Sequence, residues 1–359
     1  MASLFLSSNI QSMYKFLFLS VAMFALSVSV YFAQTDCPVN RYFSHIYAAE
    51  NHLVEGNHEE SKRYYYKAFD SEEEERIIFI KDLHNALMLA YQTGDAEYFE
   101  KFIYYLNQYD VASSFFETVG YEELKESNFY PIVRSFFENK EPRHFNSAVC
   151  STFNRLFMLD QSIRRACNDF FSGSYYHFCG KEIALLDSLV LLQLKEYFYE
   201  FGVPKESEFC TVTRYYTPPF RIIIRHNIQW CRLELLDFIK GEVGRIHPQV
   251  LADILQYNYN NPCDGSETTD PLGMGYQLRL DNSLYIMNPP EDRIDFINES
   301  RSVIYLDSIE DSHRKIKFQE FNPEYSLVHN FLTPQISADP QRIDALKERF
   351  KDIKVKQKE

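Results

Sequence analysis

The sequence predicts a mainly α fold: a helical-repeat-like N-terminal region, then a second helical domain with a few short strands or extended segments near the C-terminus. Three observations carry this. From Tyr42 to about Gln108, apolar residues recur three and four apart, the period of an amphipathic helix. A small-residue break at Gly56-Asn57 recurs at Gly94-Asp95, a spacing of 38 residues, as in stacked helix pairs. Residues 152–171, 181–201 and 221–239 then keep helical apolar faces well beyond the length of a strand.

The elements follow in order. After Gly56-Asn57, residues His58 to Phe69 read as a helix ending in an aromatic run. Glu72-Glu73-Glu74-Glu75 reads as the first turn of the next helix, where negative charge complements the helix dipole. Tyr121 to Glu141 is a connector with short helices, and Pro131, Pro142 and a charged stretch mark a boundary near residue 140. The helix over 181–201 stops at Gly202-Val203-Pro204, and His247-Pro248-Gln249 opens a short helix to Tyr257. Residues 260–275 are rich in turn formers. Residues 284–287 and 303–306 read as short strands or extended segments, and the tail from Asp339 as a charged helix. The division expected is 1–33, 34–140, 141–310 and a C-terminal extension over 311–359.

Residues 1–33 read as an export signal. Met13-Tyr14-Lys15 supplies a basic start, Phe16 to Ala33 holds no charge, and Ala33-Gln34 offers the cut. The run is also long enough to be a retained anchor. The expected location is the periplasm or cell envelope, with membrane contact only through this segment if it is uncleaved. A formal charge of −14 and the lack of a basic stripe argue against nucleic-acid binding. With 31 Phe and 26 Tyr the chain has ample material for a core.

The seven cysteines are irregularly spaced, with no C-x-x-C. Export permits disulfides, the odd count leaves at least one thiol over, and most are expected to be buried small side chains. Structural zinc has no support in these spacings, and neither a metal nor a cofactor is expected. The segment Gly56 to Phe69, with Tyr64-Tyr65-Tyr66-Lys67-Ala68-Phe69, resembles the second half of a tetratricopeptide repeat. Its looser copy starts at Gly94; an ordinary helical bundle is the alternative.

Four pieces of the second region occur in a telling order. They are Asp160-Gln161-Ser162-Ile163-Arg164; Asp187 ahead of Gly202-Val203-Pro204; Arg225-His226, followed by Gly244-Arg245-Ile246-His247-Pro248 and Asp253; and Gly273-Met274-Gly275-Tyr276-Gln277. In that order they resemble the DUF6624 family of uncharacterised bacterial domains over about residues 150–310, with Pro289-Pro290-Glu291-Asp292 and Arg301 matching later positions. The last motif departs from the family's Tyr-Gly-Thr-Gln pattern. The resemblance implies positions and no reaction.

Read physically, Asp160 and Arg164 are four apart and share a helix face. His226 sits beside Ile222, Ile223 and Ile224, and a buried carboxylate would fix its tautomer for general-base work. The catalytic candidates are His226, Asp160 and Arg164, with Asp160 or Asp187 orienting the histidine and Arg164 gripping an anionic group. The ligand-binding candidates are Gln161, Asp187, Tyr276, Gln277 and Arg301, with Tyr276-Gln277 on a loop that closes over a pocket. The opposing reading is a buried network that ties helices together. Two functions follow. One is a binding or interaction module of the envelope, presenting its N-terminal helices to a protein or peptide partner. That is the expected function; the alternative is an enzyme, hydrolytic in type, with a small-molecule ligand in the second domain.

Overall fold

The computed structural model describes residues 38–329 apart from 71–76, 110, 141–145, 172–174, 210–217, 227–237, 261–269 and 281–282, and beyond 329 only 332, 335, 336, 344, 348, 354 and 355. The fold is mainly α. The export segment and the acidic run at 72–75 lie outside the described residues, as do half of the 221–239 helix and most of the charged tail.

The first region is two helical hairpins. Helix α1 (Pro38–Val54) turns into α2 (His58–Phe69), and α3 (Ile80–Gln92) turns into α4 (Ala96–Tyr105). Both turns are built alike. Gly56 and Gly94 take φ of +79° and +70°, the left-handed conformation that glycine enters without steric cost. Behind each glycine an amide closes a six-residue ring, Asn57 N to His52 O at 2.8 Å and Asp95 N to Ala90 O at 2.9 Å. Asp95 then caps α4, accepting from Tyr98 N at 3.1 Å, and pairs with the buried Lys62 of α2 at 2.5 Å. The hairpins share a core of aromatic and aliphatic side chains, with Phe43, Tyr65, Phe69, Phe99 and Phe102 at its centre. Helix α5 (Tyr130–Asn139) closes this region.

Helix α3 is buried from Ile80 to Ala90 although it carries Lys81, Asp82, His84 and Asn85. The C-terminal segment 324–329 explains how. Asn85 and Ser326 exchange hydrogen bonds at 3.0 and 2.8 Å, His84 Nε2 meets Glu324 O at 2.9 Å, and Lys81 donates to Leu327 O at 3.0 Å. On its other side the strap meets Gln249, which donates to Leu327 O and accepts from His329 N, both at 2.9 Å. A segment that the sequence groups with a C-terminal extension therefore completes the first core and joins it to the second.

The second region has long antiparallel helices α6 (Ser147–Phe171) and α7 (Tyr175–Phe201), tied by a disulfide between Cys167 and Cys179. Helices α8 (Pro219–His226) and α9 (Pro248–Asn260) pack on them. A hairpin follows, β1 (Gln277–Leu280) and β2 (Ser283–Ile286), antiparallel with Gln277 opposite Ile286. The short β3 (Gln335–Ile336) adds in parallel to β1. Helices α10 (Glu291–Ser302) and α11 (Ile309–Phe321) lie between β2 and the 324–329 segment. Among those residues no helix is long and apolar enough to cross a membrane.

One expected strand is a turn instead. Residues 303–306 fold around Arg301, which donates to Asp307 O at 2.6 Å, Asp307 Oδ1 at 3.0 Å and Leu272 O at 2.8 Å. Tyr305, at φ +57°, is pinned by the Tyr47 hydroxyl on its carbonyl at 2.7 Å. The apolar run suggests a strand, but three bonds from one guanidinium decide the backbone.

His313 on α11 is buried, and its Nε2 has no hydrogen-bond partner among the described residues. Burial first, then the charges of Arg301 and Lys317, pull its pKa down to about 4. It is therefore neutral in the fold, whereas the unfolded chain titrates near 6.5. Its stability contribution is complete above about pH 6.5 and falls by about 3 kcal/mol as pH drops towards 4. Urea titrations of wild type and His313→Leu at neutral and acid pH check this. The variant should lose less stability on acidification, and equal losses would refute the assignment.

Candidate functional site

Three helices bring five of the sequence-selected residues together. Helix α6 presents Asp160 and Arg164 one turn apart with Gln161 next to Asp160, α7 presents Asp187, and α8 ends on His226. His226 Nδ1 lies 2.8 and 3.0 Å from the two oxygens of Asp160, which is fully buried. Gln161 Nε2 donates to Asp160 Oδ2 at 2.6 Å. Arg164 donates to Asp160 O at 2.6 Å and Oδ1 at 3.3 Å, and its other terminal nitrogen reaches Asp187 Oδ2 at 2.7 Å. The helix carrying His226 is itself anchored by a buried ion pair to α9, Arg221 to Asp253 at 2.5 Å.

Of the two carboxylates expected beside the histidine, Asp160 is the one that meets it. The role of Arg164 differs from the expectation. Arg164 is buried and engaged by two carboxylates, so it holds the site's acids in place and does not present a fork to an anion. Burial foremost raises the Asp187 pKa, with the Asp160 charge adding, and Arg164 offsets only part of this. The His226 side chain is 26 % exposed while Asp160 is not exposed at all, so the carboxylate meets the ring from the buried side.

The remaining candidates lie elsewhere. Gln277 is buried in β1 and donates to Leu332 O at 2.9 Å; the Tyr276 carbonyl accepts from Met287 N at 2.8 Å across the hairpin. Arg301 holds the 302–307 turn. Among the described residues, none of the three hydrogen-bonds to the His226 cluster.

No family model, no curated protein and no solved structure matches this chain. Among the described residues no group of His, Cys, Asp and Glu is arranged to hold a metal ion.

Sequence reasoning missed a second set of buried charges. Glu50 bridges Lys81 at 2.9 Å and Lys315 at 2.6 Å; Lys81 also meets Asp82 at 3.0 Å, and Lys315 meets Asp307 at 2.9 Å. Asp82 accepts from the Tyr42 hydroxyl at 2.8 Å and faces His247 Nε2 at 3.6 Å. Burial would raise the Asp82 pKa, but Lys81 and the His247 contact together outweigh it and hold the carboxyl low. Burial lowers His247, which accepts at Nδ1 from Gln249 N at 3.1 Å and is therefore neutral. No local pattern marks these residues. Lys81 is received by the 324–329 strap through Leu327 O, and Asp82 by Tyr42 and His247, all far away in sequence.

Proposed function

We propose that the chain is an exported enzyme of hydrolytic type in which His226 is the general base. The observation that supports this most is the His226–Asp160 pair: a part-exposed imidazole whose Nδ1–H is held by a fully buried carboxylate. The carboxylate fixes the tautomer and stabilises the imidazolium that forms when Nε2 takes a proton from water or a substrate hydroxyl. Gln161 and Arg164 fix Asp160, and Arg164 ties it to α7. The motif order that resembles the DUF6624 family runs through the same residues. The Cys167–Cys179 disulfide supports an oxidising compartment, as does the uncharged run over 16–33.

The test is hydrolysis of an aryl ester and amide panel by the full chain. His226→Gln should keep the thermal transition and lose about 10²- to 10⁴-fold in turnover. If wild type and variant hydrolyse the panel equally, the proposal fails. If His226→Gln merely unfolds the protein, the pair is scaffold. Recovery of an intact 13–33 segment by mass spectrometry of the native protein would refute cleavage after Ala33.

A second reading, a protein-interaction module, is favoured by the two hairpins with like turns at a 38-residue spacing. Tetratricopeptide-like stacks use such pairs to build a concave surface for a peptide or partner protein. Cross-linking in intact envelopes tests it. Links from residues 38–108 to one defined partner favour it, and links to none count against it.

A further inference from the structure

From Ile183 to Phe201, helix α7 carries apolar side chains on every face. A helix of that composition is ordinarily enclosed on every side. One side of α7 is enclosed, with Val190, Leu191, Leu194 and Phe198 buried in the second core. The other side is bare: Leu185, Leu189 and Leu192 are 65, 49 and 54 % exposed. Their spacing of four and then three residues sets them in one stripe, on the side of the helix turned away from Asp187 and the His226 cluster. Met158 of α6, also half-exposed, widens the stripe. Arg155 of α6 donates to Gln193 of α7 at 2.8 Å, and Cys167 is bonded to Cys179; between antiparallel helices that register sets Met158 beside Leu189. The hairpin is locked at both places, so covering this face costs little ordering.

The charges that flank the stripe identify what covers it. Lys181 and Glu182 precede Leu185 by four and three residues, and Lys195 and Glu196 follow Leu192 by three and four. All four therefore lie along the leucine face. Lys181, Glu182 and Glu196 are exposed and, among the described residues, form no ion pair. Lys195 is half-buried, its ammonium 5.9 Å from the centre of the Tyr199 ring. A basic-acidic pair thus stands at each end of the stripe, in the same order. That pattern is self-complementary when the helix meets its own copy running the opposite way. A two-fold axis between Ser188 and Leu189 places Leu185 against Leu192 of the second copy, Lys181 against its Glu196 and Glu182 against its Lys195, each contact occurring twice. A parallel arrangement sets Lys181 on Lys181 and Glu196 on Glu196, which repel. A partner of one charge sign, or an apolar one, leaves half or all of these charges unmatched.

We propose that this face of α7 is the interface of an antiparallel homodimer, with the leucines at its centre and the Lys-Glu pairs at its rim.

The experiment is sedimentation equilibrium of the full chain at low ionic strength. A monomer–dimer equilibrium with a Kd on the order of 10 µM is expected. Leu192→Glu should weaken it by about 100-fold, with an unchanged thermal transition at concentrations where wild type is monomeric. Lys181→Glu and Glu196→Lys should each weaken it by about tenfold. The double variant Lys181→Glu/Glu196→Lys, and an equimolar mixture of the two single variants, should both recover wild-type affinity, because each restores opposite signs across the axis. A chain that stays monomeric up to about 500 µM overturns the proposal. So does a dimer indifferent to Leu192→Glu, or a mixture that recovers nothing. Monomers that float with phosphatidylglycerol–phosphatidylcholine vesicles, and cease to when Leu192 is Glu, would assign the face to a lipid surface and overturn it as well.

Discussion

Glu50→Ala is expected to destabilise the protein by about 3–5 kcal/mol, the range seen when one partner of a buried ion pair is removed. Glu50 has no solvent exposure and stands between two buried ammoniums, Lys81 and Lys315. Burial alone would pull both lysines' pKa values down; the surrounding carboxylates outweigh it and hold them above the ordinary lysine value. The group is balanced, with Glu50, Asp82 and Asp307 against Lys81, Lys315 and Arg301. Without Glu50 it keeps one uncompensated positive charge in the interior. The Lys315 ammonium also sits 4.4 Å from the centre of the Tyr47 ring, a contact too weak to replace a carboxylate. Urea unfolding measures the loss, and a change under about 1 kcal/mol would show that water reaches the site. The double variant Glu50→Leu/Lys315→Met should recover part of it, because the charge imbalance is then gone.

Arg164→Met should have an effect of similar size, about 3–5 kcal/mol at neutral pH. Among the described residues it removes the one Lys or Arg shared by two buried carboxylates, Asp160 and Asp187. Here the pH dependence separates a charge effect from a packing effect. Asp187 already has a raised pKa, and loss of Arg164 raises it further. A carboxyl raised in the fold above its unfolded value, near 3.9, favours the folded state below that value. This contribution is lost as pH rises through the folded pKa. The variant should therefore be less impaired at about pH 5 than at neutral pH. A pH-independent loss would mean that the guanidinium acts by filling space. The same variant should also loosen His226, visible as increased mobility of its imidazole by NMR relaxation, because Asp160 loses its tether to α7.

Much of the fold was legible because it is local. The Gly56 and Gly94 turns depend on residues within one helical turn of each glycine, so their 38-residue repeat could be read directly. Asp160, Gln161 and Arg164 were legible for the same reason: a spacing of four places a carboxylate and a guanidinium on one helix face. His226 was suggested by its isoleucine neighbours. The strand expected at 303–306 failed because Arg301, outside the run, binds the turn through Asp307 and Leu272. Helices α10 and α11 escaped notice because their apolar faces are weakly segregated, α10 burying only Ile297 and Arg301.

By itself, then, the sequence determined what depends on neighbours along the chain: the helical class, the two like turns and the acid–guanidinium face of α6. Only the tertiary structure decided which polar side chains lie inside and whom they meet. Lys315 finds Glu50 across 265 residues, and Asn85 finds the 324–329 strap across 241. The reason is physical. Periodicity reports which face of an element is apolar, and a lysine on the other face looks the same whether water or a distant carboxylate receives it.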